Sequence, residues 1–213
     1  IRRQRQMCIR DSFMSSIEAL YDLRGCADRI IASPCEVMAA GFNYTDILPH
    51  LLADAGTSYD LPGVCSEYHD YYMNRATTKS GCIALTVTGE LEPLAAIVKE
   101  IETKYPGKTY DRASLQTYEG LDEHVFYDLQ GYIEAICDEK DPLLDKFRAQ
   151  MGKAFPTESR LHTPSFYSVY GLGDAPNGMH TIEDGKYSGV TTSAPCERFA
   201  PEWAQTSWYR ATH

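Results

Sequence analysis

The side chains of this sequence that could do nucleophilic chemistry are its thiols and imidazoles. Cysteine catalysis needs a thiolate beside an imidazole, which accepts the thiol proton and later returns it to the leaving group. Cys35 is the best-placed thiol, because it follows a short apolar run and adjoins Glu36. No motif surrounds the histidines, which are better explained as surface or core side chains: His50, His69, His124, His162 and His180. Packing is also the better explanation of Cys35, so this pattern alone does not predict an active site.

Cysteine spacing bears on metals and on the redox environment. The sequence contains no Cys-x-x-Cys pair and no clustering of cysteine with histidine, so we expect no zinc site. We also expect no cofactor. The thiols are predicted to be free and buried, with disulfides in an oxidising compartment as the alternative. Beyond residue 12 they are Cys26, Cys35, Cys65, Cys82, Cys137 and Cys196.

The elements that would position these side chains follow from apolar periodicity. Apolar residues at helical spacing run from Phe13 to Leu23, and Gly25 follows as a helix stop. The apolar run 29–33 is typical of a buried strand, and Pro34 ends it. A helix followed by such a strand is half of a parallel βαβ unit. Further helices are predicted over 46–55, 64–74, 91–104, 128–137 and 142–155, and a strand over 81–87.

The pattern changes after residue 155. Segments 165–170 and 188–193 resemble strands and are separated by glycine and proline residues. We therefore predict an α/β domain over 13–154, followed by a mixed, β-rich α+β extension over 155–213.

Two short segments carry a resemblance to a known family. Phe13-Met14-Ser15-Ser16 and Ala32-Ser33-Pro34-Cys35-Glu36 are similar to the segments that follow the catalytic cysteine in clostripain-like cysteine peptidases. Segments 126–129, 163–168, 187–193 and 208–212 also resemble that family, so the similarity spans residues 13–213. The resemblance implies a caspase-like α/β/α sandwich with a parallel sheet, of which this chain would hold the second half.

Ser12 stands where the clostripain-like family has its nucleophilic cysteine. The run 2–12 is similar to a translated sequencing adapter, and we exclude residues 1–12 from the interpretation of the fold. Such an adapter ends in the bases A and G. If they were joined to the last base of a cysteine codon, which is T or C, the new codon would be AGT or AGC, and both encode serine. A genuine basic N-terminal arm is the alternative. The family's catalytic histidine lies upstream in a His-Gly motif, which this sequence lacks, so we expect an inactive C-terminal fragment.

The resemblance also implies substrate-binding residues. The loop after strand 29–33 would form part of the pocket for the side chain before the scissile bond, with Glu36 and Asp46 as the candidate carboxylates. A carboxylate can bind arginine or lysine through a charge-assisted hydrogen bond. The alternatives are loop solvation for Glu36 and a helix N-terminal charge for Asp46. Calcium dependence is implied by the family alone, because the sequence has no calcium-loop motif.

Charge and hydropathy limit the class of partner. The net charge is −10 over 213 residues; residues 1–12 hold four arginines and one aspartate, so the remainder carries 16 basic and 29 acidic residues, or −13. This acidity disfavours nucleic acid and anionic lipid, and it either favours basic substrates or serves solubility alone. No apolar run reaches the roughly 18 residues of a membrane span.

The function predicted from the resemblance is that of a bacterial cysteine endopeptidase that cleaves proteins or peptides after arginine or lysine. The parent protein would be secreted or anchored as a lipoprotein. The competing hypothesis is a non-catalytic module that binds proteins or glycans.

Overall fold

A computed structural model describes residues 12–52, 59–170 and 176–213, together with the backbone of residues 6–8. The first elements are β1 (Gln6–Cys8), α1 (Ile17–Leu23), β2 (Arg29–Ala32), α2 (Tyr44–Leu51) and α3 (Leu61–Asp70), which continues as a π-helix (Tyr71–Arg75). Then come β3 (Ile83–Val87), α4 (Leu91–Lys104), β4 (Tyr127–Asp128), α5 (Leu129–Ile136) and α6 (Pro142–Ala154). The last are β5 (Arg160–Leu161), β6 (Ser165–Tyr167), β7 (Met179–Thr181), β8 (Thr191–Thr192), α7 (Ala200–Trp203) and α8 (Ser207–Thr212). The rest of the predicted adapter, residues 1–5 and 9–11, lies outside the described residues.

The main sheet has the strand order β1-β2-β3-β5. The predicted half-unit, a helix followed by a strand, is present as α1 and β2. β1 pairs parallel with β2 and completes a βαβ unit, although its residues lie within the excluded segment 1–12. β2 and β3 pair antiparallel, as do β3 and β5. The predicted parallel pairing holds for β1 and β2 but not for β3 and β5. Apolar periodicity reports that a strand is buried and carries no information on its direction.

The two faces of the sheet are covered by different helices. Ile30 packs with α1, α4, α5 and α6, whereas its neighbour Ile31 packs with α2 and α3. Successive strand residues point to opposite faces, so an uninterrupted apolar strand such as β2 needs cover on both. The result is a three-layer α/β/α arrangement, which confirms the predicted fold class.

The larger core cluster lies between α1, α4, α5, α6 and α8. Phe147 of α6 is fully buried there, and Trp208 of α8 is 2% exposed. Burying an aromatic side chain of this size stabilises the fold by about 1.5–3 kcal/mol. The predicted helix 91–104 is confirmed as α4, whose buried face includes Leu94, Val98 and Ile101. This cluster fixes α1, the helix that follows position 12.

Polar side chains cap the starts of α1 and α5. Ser16 Oγ accepts a hydrogen bond from Ala19 N at 3.3 Å and begins α1. Asp128 Oδ1 accepts from Gly131 N at 2.9 Å and begins α5, close to the start of the predicted helix 128–137. Such caps satisfy backbone donors that have no partner inside the helix.

Residues beyond the predicted boundary at 155 pack with those before it. β5 pairs with β3 in the main sheet, and Val190 and Trp208 belong to the same core cluster as α1. Ser15 Oγ donates to Gly189 O at 2.6 Å, and Thr191 N donates to Ser15 O at 2.8 Å. The division into two domains stays a prediction. In the described ranges, no helix is both long and apolar enough to cross a membrane.

Candidate active site

Ser12 lies where the segments that follow two parallel strands meet. It comes after β1 in the chain, and the segment 33–37 comes directly after β2. Ser12 Oγ accepts a hydrogen bond from Val37 N at 3.1 Å, and its side chain is half-buried. The carboxyl ends of parallel strands are where open α/β sheets place their ligand and catalytic sites. The position of Ser12 fits that rule.

Backbone hydrogen bonds hold the two segments side by side. Phe13 N donates to Cys35 O at 3.2 Å, and Ser15 N donates to Ser33 O at 3.0 Å. Ser33 Oγ in turn accepts from Cys35 N at 3.3 Å, which fixes the turn after β2. The chain around position 12 is thus registered against residues 33–37 by main-chain contacts.

Glu36 lies beside this contact, next to Val37. Glu36 Oε1 accepts from Ser168 Oγ at 2.8 Å and from Val169 N at 2.7 Å. The carboxylate therefore anchors the chain that leaves β6 to the segment after β2. Sequence reasoning placed Glu36 in a solvated loop or a pocket, and it did not anticipate this anchoring contact.

Asp46 lies in the first turn of α2, on the α2 and α3 side of the sheet. Its Oδ2 accepts from Asn43 Nδ2 at 2.7 Å and is 2.5 Å from Arg75 Nη1. These contacts tie α2 to the end of the π-helix. Of the two predicted carboxylates, Glu36 is the one adjacent to a direct contact of Ser12.

Cys35, the alternative thiol, is fully buried in a small cluster with Cys82, Tyr118, Phe166 and Ile182. Burial raises the pKa of the Cys82 thiol, and a hydrogen bond with Cys35 raises it further. Cys35 itself is shut off from solvent, and a buried structural thiol is a poor nucleophile. The cysteines of the described ranges carry no disulfide, and Cys26 is the exposed one.

A buried carboxylate that sequence reasoning missed lies in the loop before β4. Glu119 Oε1 accepts from Val125 N at 2.7 Å, and Oε2 accepts from Leu121 N at 2.8 Å and lies 3.0 Å from His124 Nδ1. Burial would raise the pKa of Glu119, but the hydrogen bonds from His124, Leu121 and Val125 outweigh it and lower the pKa. The Glu119 hydrogen bond raises the pKa of His124.

His124 also lines a surface cleft of about 220 Å³. Tyr127, Cys196 and the side chains of Arg112 and Arg198 contribute to its wall. Arginine and acidic side chains pair across it, as Arg112 Nη1 does with Glu197 Oε1 at 3.2 Å. No cluster of three or more metal-binding side chains occurs among the residues that the structure describes.

Glu18, in the first turn of α1, joins this helix to the C-terminal part of the chain. Its Oε1 accepts from Thr192 Oγ1 at 2.8 Å, Ser193 N at 2.9 Å and Trp203 Nε1 at 3.0 Å. Burial raises the pKa of Glu18 despite these hydrogen bonds. The predicted family-like segments 13–16 and 187–193 are therefore brought together next to position 12.

The chain is similar to known cysteine proteases in sequence and in fold. The model of the clostripain family, Peptidase C11, matches residues 9–170. A clostripain from Bacteroides thetaiotaomicron, solved with a peptide inhibitor, is 31% identical with a TM-score of 0.85, and the alignment covers 99% of this chain and 88% of that one. No match was found among curated proteins.

Two further solved structures are longer than this chain. A secreted C11 cysteine protease from Bacteroides thetaiotaomicron is 32% identical, with a TM-score of 0.85 and coverage of 98% of this chain and 55% of that one. An inactive zymogen C11 protease from Parabacteroides distasonis is 26% identical, with a TM-score of 0.80 and coverage of 98% and 58%. This chain thus spans little more than half the length of these two relatives. The chain belongs to the clostripain family of cysteine proteases and has their caspase-like α/β fold.

Proposed function

We propose that position 12 is the nucleophile position of a cysteine endopeptidase that cleaves after arginine or lysine. We further propose that the chain with serine at this position is inactive. The observation that carries the proposal is the hydrogen bond from Val37 N to Ser12 Oγ, made where the segments after two parallel strands meet. Peptides and proteins are the substrate class of this family.

The chemistry requires a thiolate at position 12. A cysteine sulfur there would attack the scissile carbonyl carbon, and an upstream imidazole would take the thiol proton and pass it to the leaving amine. The Val37 N–H would favour the thiolate, since donation to the charged form of a group lowers its pKa. A serine hydroxyl is a poor nucleophile without an adjacent base. The Ser12 chain is therefore expected to bind peptides without cleaving them.

Glu36 is the carboxylate that best supports the proposed specificity. It adjoins Val37, and its two hydrogen bonds to the chain after β6 use Oε1. A basic substrate side chain could bind the other oxygen while those contacts persist. Asp46 would first have to release Arg75, which lies 2.5 Å from its Oδ2. The inhibitor bound to the Bacteroides thetaiotaomicron clostripain carries the peptide VLTK, whose last residue is lysine, a residue of the kind proposed here.

The test compares two neutral amide variants in the longer parent protein that carries the upstream half and Ser12→Cys. Glu36→Gln keeps an acceptor for Ser168 and Val169 but removes the charge. We expect kcat/KM for arginyl peptides to fall by on the order of 10- to 100-fold, the worth of one charged hydrogen bond, with alanyl peptides unaffected. Asp46→Asn is the matched control, for which little change is expected. Unchanged arginine selectivity in Glu36→Gln would remove Glu36 from the pocket.

We also propose that the parent protein acts outside the cytoplasm. The support is the secreted relative from Bacteroides thetaiotaomicron. Reading the untruncated gene tests this together with the predicted adapter over residues 1–12. The expected gene encodes an export signal, an upstream His-Gly motif and cysteine at position 12. A natural serine codon there would instead favour a non-catalytic family member.

A further inference from the structure

Phe13, directly after position 12, has an unusual backbone conformation. Its φ angle is +59°, in the left-handed region that side chains other than glycine rarely adopt. Such a conformation costs of order 1–3 kcal/mol and persists only where the surrounding contacts hold it. Two contacts do so. Phe13 N donates to Cys35 O at 3.2 Å, and the Phe13 ring stacks on another ring.

The ring that stacks on Phe13 belongs to Phe126, which is far away in sequence. The two ring centroids are 4.6 Å apart and the planes differ by 5°. Both side chains are half-buried, so the stack forms part of the surface beside position 12. An aromatic pair of this kind adds about 0.5–1.5 kcal/mol beyond its buried area, which is comparable to the cost of the left-handed turn.

The backbone of Phe126 is itself held on both sides. Phe126 N donates to Glu119 Oε1 at 3.2 Å, and Phe126 O accepts from Tyr118 N at 3.0 Å. The Glu119 side chain is fully buried and also binds the backbone of Leu121 and Val125. A chain of direct contacts therefore runs from Glu119 through Phe126 and Phe13 to position 12.

We propose that Phe126 is a positioning residue for the side chain at position 12, and that Glu119 holds Phe126 in place for this role. This inference rests on the proposed function of position 12. With the ring present, the turn at Phe13 aims the side chain of residue 12 at Val37 N. Without it, Phe13 can relax to an ordinary backbone conformation, and the side chain at position 12 leaves that donor.

The test uses the whole chain with Ser12→Cys and measures alkylation of the new thiol by iodoacetamide as a function of pH. Peptide mapping distinguishes alkylation of the new thiol from alkylation of Cys26, an exposed thiol that serves as the internal reference. A thiolate that accepts from Val37 N has a lowered pKa. In Phe126→Leu we expect the apparent pKa of the new thiol to rise toward the ordinary value of about 8.5. A rise of the pKa by one would leave roughly tenfold less thiolate at neutral pH.

Phe126→Tyr keeps an aromatic ring and is the conservative variant. Its profile of alkylation against pH should therefore match that of the Ser12→Cys chain with Phe126 unchanged. Circular dichroism of each variant checks that the fold is retained. If Phe126→Leu does not fold, Phe13→Leu supplies the same measurement, because it removes the other ring of the stack and keeps the Glu119 contacts. Under conditions where Glu119→Gln is folded, it should raise the pKa of the thiol in the same direction, because it releases the backbone of Phe126. Profiles that coincide in a folded Phe126→Leu and in Phe126→Tyr would overturn the inference. Since no peptide is cleaved in this assay, a failure of the proposed protease activity is detected separately.

Discussion

Replacing Glu119 by glutamine should destabilise the protein far more than any surface carboxylate change. The carboxylate accepts from the backbone of Leu121, Val125 and Phe126 and pairs with His124. A glutamine side chain at this position would keep one oxygen for two of these donors and present its NH₂ group to the others. Hydrogen bonds to a charged group are worth about 1.5–3 kcal/mol each, so losing two of them at this buried side chain costs about 3–5 kcal/mol.

We therefore expect Glu119→Gln to lower the free energy of unfolding by about 3–5 kcal/mol, measured by urea denaturation. Glu134→Gln is the control. Glu134 Oε1 lies 2.8 Å from Arg148 Nε, but the two side chains are 33% and 44% exposed. A solvent-exposed pair contributes at most about 1 kcal/mol.

The same variant should change how stability depends on pH. The pKa of Glu119 is lowered, so its contribution is complete above its ordinary value of 4.5 and is lost as pH falls through the lowered pKa. The pKa of His124 is raised, so its contribution is complete below its ordinary value of 6.5 and is lost as pH rises through the raised pKa. The side chain of His124 is 40% exposed, so solvent screening reduces the contribution of His124 to the free energy of unfolding.

The difference between Glu119→Gln and the unchanged protein should therefore be larger at pH 5.5 than at pH 8.5. A loss below about 1 kcal/mol at pH 5.5, no larger than that of a surface pair, would refute the reasoning. So would an equal loss at both pH values, because it would show that His124 is not coupled to Glu119.

Three further predictions concern the core, a glycine and the thiols. Phe147→Ala should lower the free energy of unfolding by about 3–5 kcal/mol, against less than about 1 kcal/mol for Phe199→Ala, because Phe147 is fully buried and Phe199 is 38% exposed. Gly189→Ala should lower the melting temperature, because the φ angle of Gly189 is +77° and the new Cβ would lie 2.8 Å from Ala84 Cβ. Gly152→Ala is the control: its new Cβ would lie in open space on α6, and it should stabilise the protein by up to about 1 kcal/mol. Among the described cysteines, brief labelling of the native protein should modify Cys26, and labelling of the others before unfolding would contradict their burial.

The helices and the strand next to position 12 could be predicted from sequence because each has a strong local signal. The apolar run 29–33 ends at Pro34, and β2 occupies Arg29–Ala32. The cap at Asp128 depends on its own following residues, and α5 begins there. Local patterns of this kind are complete within a few residues, so periodicity and capping rules are sufficient.

Other features depend on partners distant in sequence and could not be predicted in this way. The antiparallel direction of β3 is set by the path of the chain through α2 and α3. In the sequence, Glu119 is an ordinary charged loop residue. Its hydrogen bonds to the backbone form only because the folded chain brings the N–H groups of Val125 and Phe126 to its carboxylate. Likewise, nothing in the segment 12–16 indicates that Phe13 is left-handed or that Phe126 covers it.

The family motif could locate position 12 but not the contacts of Glu36. Resemblance placed Ser12, Glu36 and Asp46 on one proposed site. The structure gives Glu36 a bond to Ser168, a residue 132 positions away, and pairs Asp46 with Arg75. Their roles in binding a substrate stay predictions.

The most direct test of the central claim is hydrolysis of a fluorogenic arginyl peptide by two proteins that differ only at position 12. Both are made as the proposed longer parent with its upstream half; one has serine and the other has Ser12→Cys. We predict turnover by the Ser12→Cys protein, blocked by a thiol alkylating reagent, and none by the serine protein. Equal turnover by both, or no turnover by the thiol protein although it is folded, would contradict the assignment of position 12 as the nucleophile position.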